Sequence, residues 1–314
     1  MSLSVILQQM GVICILVAIG IFLQKKGVVD NLTSKKLSAI VVDVCNPALI
    51  MASILGGNVT AGHEELLYAA GLGVAFYAIL IIIGQLLPRL LKVAPDKRKF
   101  YNLMCVYTNT GFLGIPIAKA VLPPNAILYI IVINIVYCLL FYTHGLAVIG
   151  KGEDESAESN GNVLKQIFNP GTVMAILSLV VFWFAIELPP ILGNTIEYVG
   201  NATVFLSMML LGVSIARSNF FNSLKDWRIW AFIALRMILF PCLVVLALKS
   251  ISLDKTATLA MCLMAAVPVG NLPMITAEKK GMDTSVLSSA IAVTTVVSIA
   301  TITALIAGAV AILQ

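Results

Sequence analysis

Charged side chains are scarce in this sequence. Asp, Glu, Lys and Arg make up only 11% of its 314 residues, whereas 60% are hydrophobic, and the mean hydropathy is +1.02. This composition excludes a sizeable soluble domain, because the surface of such a domain needs far more charge. The net charge of +5 does not indicate a nucleic-acid partner, since the basic residues lie between apolar segments, where membrane topology explains them.

The usual features of catalytic and metal-binding proteins are also missing. All six cysteines fall inside apolar segments without CxxC spacing, so we expect neither a disulfide framework nor a metal site. The sequence contains no HExxH or GxSxG motif and no paired aspartates within its apolar segments. We therefore expect a protein that is not an enzyme and has no cofactor, while a transporter and a channel both stay open.

Apolar runs of about 20 residues, each long enough to cross a bilayer as a helix, recur along the chain. Helices are required because lipid offers no other hydrogen-bond partners to the backbone. The sequence therefore predicts an all-α polytopic membrane protein in contact with the lipid bilayer. Its ten predicted transmembrane helices are 3–24, 37–55, 65–87, 100–122, 126–149, 168–187, 197–216, 229–248, 256–278 and 285–313.

Basic residues are distributed unevenly between the connections. Sixteen Lys and Arg residues lie in the odd-numbered connections and three lie in or beside the even-numbered ones, while Arg236 lies deep within a span. By the positive-inside rule, this asymmetry places the odd-numbered connections in the cytoplasm. The prediction is a multi-pass protein of the cell membrane with both termini extracellular or periplasmic.

A polar segment divides the chain into two sets of five spans. Residues 150–167 are rich in Gly, Ser and acidic residues, which is typical of a flexible cytoplasmic linker. Residues 1–149 and 168–314 would then be two five-helix repeats. Because five is odd, the second repeat begins on the opposite side of the membrane from the first, as inverted repeats require.

The fourth and ninth spans carry Gly, Asn and Pro near their centres. Setting Pro116 against Pro273 aligns residues 114–117 with residues 271–274. Proline removes a backbone donor and glycine lowers the cost of unwinding, so we expect both helices to be broken. Paired breaks at membrane depth point to a substrate site, and half-helix N-termini together with asparagine side chains suit a carboxylate.

These two spans contain distinctive motifs: NTGFLGIP at residues 109–116, and PVGNLP at residues 268–273 followed by EKKGMD at residues 278–283. Together they resemble the auxin efflux carrier family, which includes bacterial members and the plant PIN carriers. The resemblance covers the full length and includes NPA at residues 46–48 and LGVSIAR at residues 211–217. The chain lacks the very long central loop of the plant carriers.

The resemblance implies two inverted five-helix repeats and an elevator-type alternating-access mechanism. Residues 1–55 and 168–216 would form a scaffold through which a homodimer assembles, and residues 65–149 and 229–314 a moving transport domain. In that domain the broken helices 4 and 9 would cross at the substrate. Carried over by position, the substrate-binding residues are Asn109, Gly111, Gly114, Pro116, Pro268, Asn271 and Pro273.

The resemblance further implies a secondary transporter of a small organic anion. Bacterial relatives are associated with malate, malonate and other small carboxylates, and an auxin-like acid stays open as the substrate. Transport would be coupled to H+ or driven by the membrane potential. The alternative is a Na+-coupled symporter of the bile-acid symporter type, which also has crossed broken helices, although no acidic cluster lies beside the predicted crossing.

Three acidic, basic or histidine side chains, those of Asp43, His144 and Arg236, lie more than one helical turn from either end of a predicted span. Asp43 and Arg236 each cost about 3 kcal/mol at such depth on insertion scales, so each needs a partner, a wet cavity or a transport role. Asp43 and Arg236 lie at similar depth and could form a static ion pair; alternatively, Arg236 neutralises the substrate or Asp43 carries a coupling proton. His144 either titrates near neutral pH and serves coupling, or is a hydrogen-bonded packing residue.

Overall fold

The computed structural model describes residues 3–55, 63–150, 168, 170–217, 224–280 and 282–313. Over these residues the fold is all-helical, and its only strand-like feature there is an isolated bridge between Thr108 and Val269. Apart from Gly150, the predicted linker 150–167 lies outside the described residues.

Twelve helices in the described part of the chain are numbered here in chain order. They are α1 (Leu3–Lys25), α2 (31–55), α3 (His63–Leu90), α4 (Arg98–Val106), α5 (110–121), α6 (126–149), α7 (Pro170–Trp183), α8 (Pro190–Arg217), α9 (227–250), α10 (Lys255–Ala266), α11 (Asn271–Lys279) and α12 (Ser285–Ile312). Four of them contain a π-helical turn, located at Val41–Cys45, Thr110–Gly114, Phe141–Gly145 and Ile233–Leu239.

Six of the described helices, α2, α3, α6, α8, α9 and α12, are long and apolar enough to cross a bilayer by length and composition. Shorter apolar helices occur in α1, α7 and α10. A 28-residue helix such as α12 is about 42 Å long, which exceeds the hydrocarbon thickness of roughly 30 Å.

The helix bounds follow the predicted segments closely. Helix α6 spans 126–149 as predicted, whereas α2 begins at residue 31 instead of residue 37. The earlier start is due to Asp30, whose side chain caps the helix by accepting from the Thr33 N–H at 2.7 Å. Hydrogen bonds from Thr33 also hold the pKa of the Asp30 carboxyl below its usual value.

Helices α1, α2, α7 and α8 pack on one another. The backbones approach very closely there: a Cβ atom on Gly20 of α1 would overlap the carbonyl oxygen of Met209 in α8. A Cβ atom on Gly200 of α8 would lie 2.9 Å from Cα of Leu49 in α2. Small residues at such contacts are the usual means of close helix packing in membranes.

The other helices form a second group, in which α10 contacts three long helices. This helix packs against α6, α9 and α12, while α3 packs against α4 and α6. Contacts between the two groups run from α1 to α12, from α7 to α6, and from α8 to the π-helical turn Thr110–Gly114. The segments joining α4 to α5 and α10 to α11 therefore lie in the interior of the second group, next to its border with the first.

Candidate functional site

The helices predicted over 100–122 and 256–278 are both interrupted. The first stops at Val106 and resumes at residue 110, and the second stops at Ala266 and resumes at Asn271. The two intervening segments, residues 107–109 and 267–270, are called the paired segments below, because an antiparallel bridge joins them.

Two backbone hydrogen bonds hold the paired segments together. The Asn109 N–H donates to the carbonyl of Pro268 at 2.8 Å, and the Gly270 N–H donates to the carbonyl of Tyr107 at 3.1 Å. Unwinding a helix leaves polar backbone groups without partners, and in an apolar interior each such group is costly. Each interruption therefore supplies hydrogen-bond partners to the other.

Each helix carries a proline after it resumes. Pro273 lies in the first turn of α11, where a missing N–H costs nothing. Pro116 lies further along α5, directly after the π-helical turn Thr110–Gly114, in the first turn of the segment Ile115–Val121. With Pro116 set against Pro273, residues 267–270 correspond to 110–113, so in this alignment the first interruption begins three residues earlier than the second. The residues aligned with the second interruption belong to the π-helical turn Thr110–Gly114.

Two of the predicted glycines lie against other helices. A Cβ atom on Gly114 would lie 2.7 Å from Cε of Met264 in α10. A Cβ atom on Gly111 would lie 3.2 Å from Nδ2 of Asn46 in α2. Of the seven residues carried over from the family motifs, Asn109 and Pro268 lie in the paired segments, Asn271 and Pro273 in the first turn of α11, and Gly111, Gly114 and Pro116 in the first seven residues of α5.

Asn134 and Thr294, for which the sequence predicted no role, hold the paired segments and their borders in place through hydrogen bonds. The Thr110 hydroxyl donates to Oδ1 of the buried Asn134 in α6 at 2.9 Å. The Val269 N–H donates to the hydroxyl of the buried Thr294 in α12 at 3.3 Å. The first interruption is therefore tied to α6 and the second to α12, in each case the second helix after the interruption. In both cases a polar residue within an apolar helix was the available signal.

Asn46 is a further residue of the site to which the sequence analysis gave no role. It follows the π-helical turn Val41–Cys45 in α2 and faces Gly111, and its Oδ1 is buried without a hydrogen-bond partner among the described residues. Oδ1 of Asn271 is likewise buried without a hydrogen-bond partner among the described residues. Two side-chain amides with unsatisfied hydrogen-bonding capacity thus lie beside the interruptions, and such buried groups call for a partner.

Arg236 does not pair with Asp43. Asp43 is exposed on α2, whereas Arg236 is 1% exposed inside the second group of helices. Its Nε donates to the carbonyl of Cys105 at 2.7 Å and its Nη1 to the carbonyl of Ala265 at 2.5 Å. These carbonyls lie in the last turns of α4 and α10, so the guanidinium caps both helices immediately before their interruptions.

His144 is connected to the paired segments through Tyr107. The Tyr107 hydroxyl lies 2.9 Å from Nδ1 of His144 and 2.9 Å from the carbonyl of Leu140. Because a carbonyl can only accept, the hydroxyl proton points to Leu140 and the imidazole Nδ1 donates to the hydroxyl oxygen. His144 is half-buried, so its ring contacts both the interior and the protein surface.

All three ionisable residues singled out in the spans lie in π-helical turns: Asp43 in Val41–Cys45, His144 in Phe141–Gly145 and Arg236 in Ile233–Leu239. A π-helical turn inserts an extra residue and re-aims the side chains around it, and such turns are frequent at functional sites. Among the described residues no group of three His, Cys, Asp or Glu side chains could hold a metal ion.

Comparison with known proteins gave one family and two relatives. A family model described as membrane transport protein matches residues 5–306. An uncharacterized transporter of Methanocaldococcus jannaschii is 25% identical over 301 residues, which cover 92% of this chain and 94% of the relative. An uncharacterized transporter of Methanothermobacter thermautotrophicus is 23% identical over 295 residues, covering 91% of this chain and 93% of the relative.

Proposed function

Because this chain belongs to the membrane transport protein family, we propose that it is a secondary transporter of a small organic anion. The observation that carries the proposal is the meeting of two interrupted helices, each resuming with its N-terminus beside the paired segments. The family and the names of both relatives indicate a multi-pass membrane transporter and give no indication of an enzyme.

The chemistry of the crossing favours a carboxylate. The first turns of α5 and α11 present N–H groups without intrahelical acceptors and carry the positive ends of two helix dipoles. Residues 107–117 and 267–274 contain no Asp or Glu, so no fixed negative charge repels an anion there. Malate, malonate and an auxin-like acid are the substrates to test.

The architecture that best accommodates the helices is ten membrane crossings in two inverted repeats. In this proposal α4 with α5 forms the fourth crossing and α10 with α11 the ninth. The similar anchoring of the two interruptions, by Asn134 in α6 and by Thr294 in α12, supports a repeat. Both termini would then lie outside the cytoplasm, as the distribution of basic residues predicts.

Transport would follow an elevator mechanism. Helices α1, α2, α7 and α8 would be the scaffold, and its exposed apolar surface the contact for a homodimer. The remaining helices would carry the paired segments along it as a transport domain. The close backbone contacts of Gly20 and Gly200 within the scaffold support this division, because they join those helices into one rigid body.

Proton coupling or the membrane potential accounts for the site better than Na+ coupling does. Na+ binds to carbonyl oxygens freed by unwinding. Here the carbonyls of Tyr107 and Pro268 accept from the opposite paired segment, and those of Cys105 and Ala265 accept from Arg236. A Na+-coupled symporter is the alternative, and replacing Na+ by choline in the uptake buffer separates the two, because only the alternative loses uptake.

The test is uptake of radiolabelled malate, malonate and indole-3-acetate into proteoliposomes. We expect saturable uptake of at least one acid, and its loss in Asn109→Ala and in Asn271→Ala. The matched control is Asn194→Ala, because Asn194 is exposed near the start of α8. Wild-type uptake by both site variants would remove these residues from the site. A continuous current that does not saturate would indicate a channel.

A further inference from the structure

Arg236 is a buried cation whose described partners include no carboxylate. Its guanidinium donates to the carbonyls of Cys105 and Ala265 and lies 5.0 Å from the ring centroid of Phe240. A charge buried in this way is costly unless other charges or dipoles compensate it. The compensation here has to come from the groups that it caps.

Those groups are the C-terminal ends of two helices. A helix C-terminus carries about half a negative charge, so the converging ends of α4 and α10 carry roughly one. Arg236 brings one positive charge to the same point through its two hydrogen bonds of 2.7 Å and 2.5 Å. The buried cation and the two helix ends therefore offset each other.

This offset decides the sign of the field at the paired segments. Four half-helix ends meet there, two negative ends from α4 and α10 and two positive ends from α5 and α11. Without Arg236 the contributions of the two kinds would cancel, leaving little preference for either sign of charge. With Arg236 the negative ends are neutralised and the positive ends remain.

We infer that Arg236 sets the preference of the crossing for anions without touching the substrate. It is a positioning and selectivity residue that acts through the carbonyls of Cys105 and Ala265. This inference rests on the proposed function, since it concerns the charge of the solute bound at the same crossing. It differs from direct neutralisation of the substrate by Arg236, because the side chain is 1% exposed and its Nε and Nη1 donate to backbone carbonyls. The third nitrogen, Nη2, is buried and has no hydrogen-bond partner among the described residues.

The experiment compares acids with their uncharged amides. Binding of malonate and malonamide, and of indole-3-acetate and indole-3-acetamide, is measured by calorimetry on purified wild-type, Arg236→Gln and Arg236→Lys protein. We expect Arg236→Gln to lower the affinity for the acids by about tenfold or more and to leave the affinity for the amides unchanged. Arg236→Lys keeps the positive charge and should keep the preference for acids.

The outcomes separate the two proposals. A purely structural role for Arg236 would weaken acid and amide binding equally in Arg236→Gln, and that result would overturn the inference. Loss of the preference for acids in Arg236→Lys would overturn the inference as well. This measurement on the Lys variant is possible even if the Gln variant does not fold. If wild-type protein neither binds nor transports any acid, the proposed function itself fails.

Discussion

Gly270 and Thr108 approach so closely that a Cβ atom on Gly270 would lie 2.8 Å from the carbonyl oxygen of Thr108. That oxygen belongs to the backbone of the opposite paired segment, so it cannot swing aside as the end of a flexible side chain could. The two segments can keep their hydrogen bonds only while residue 270 has no side chain.

Gly270→Ala is therefore expected to separate the paired segments. We expect uptake to be lost and the protein to be destabilised by roughly 1–3 kcal/mol, the usual cost of overpacking. Uptake and thermal unfolding in detergent measure the two effects. The control is Gly308→Ala in α12, where an added Cβ would meet no atom within 4 Å. Equal behaviour of the two variants would mean that the close pairing is dispensable.

Asn46 is expected to contribute to substrate affinity from α2. Asn46→Ala should raise the KM for the transported acid, and Asn46→Asp should raise it further, because a carboxylate beside Gly111 would repel an anion. Initial rates of uptake over a range of substrate concentrations check both. An Asn46→Asp variant with the KM of Asn46→Ala would argue against an anion next to this side chain.

A contact between the two groups of helices offers a test of the elevator movement. Nζ of Lys119 in α5 donates to Oδ1 of Asn201 in α8 at 3.0 Å. If α5 slides along α8 during transport, a mercury cross-link between Lys119→Cys and Asn201→Cys should stop uptake, and a thiol reductant should restore it. The native cysteines are replaced first in both the test and the control.

The matched control is a cross-link within the proposed scaffold. Nε of Arg217 in α8 donates to Oε1 of Gln24 in α1 at 2.9 Å, so Gln24→Cys with Arg217→Cys should cross-link equally well. Because both helices belong to the same rigid body in the proposal, uptake should persist. Inhibition by both cross-links, or by neither, would contradict a sliding movement between the two groups.

His144 is expected to make uptake depend on pH. An imidazole titrates in the physiological range, and this one donates to the hydroxyl of Tyr107, whose carbonyl is bonded to Gly270. His144→Gln should flatten the pH profile of uptake while leaving uptake measurable. A profile identical to that of the wild type would leave His144 with a packing role.

Local composition was sufficient to predict the helices and their interruptions. Lipid provides no hydrogen-bond partners, so an apolar run of sufficient length has to be helical, and α6 occupies the predicted residues 126–149. Proline and glycine mark the two predicted spans in which the described structure interrupts the helix near its middle and then resumes it. Each interruption precedes its proline: residues 267–270 end three residues before Pro273, and residues 107–109 end seven residues before Pro116.

The partners of the polar side chains could not be predicted in the same way. Arg236 binds a carbonyl 131 residues away along the chain, and Thr110 binds Asn134 on a neighbouring helix. Such contacts depend on how helices pack and on π-helical turns, which re-aim Asp43, His144 and Arg236 and have no sequence signature here. The ion pair between Asp43 and Arg236 was a reasonable inference from depth alone, but depth does not determine which way a side chain points.

The sequence by itself determined that this chain is a helical membrane protein with two interrupted helices. In lipid a segment has to form its backbone hydrogen bonds within its own turns, and whether it can do so depends on its local composition: apolar runs form helices, and proline and glycine interrupt them. Only the tertiary structure decided that the two interruptions satisfy each other, that Arg236 caps both helices that precede them, and that Asn46 faces them. Those relationships join residues distant in the chain, and they arise from the packing of whole helices.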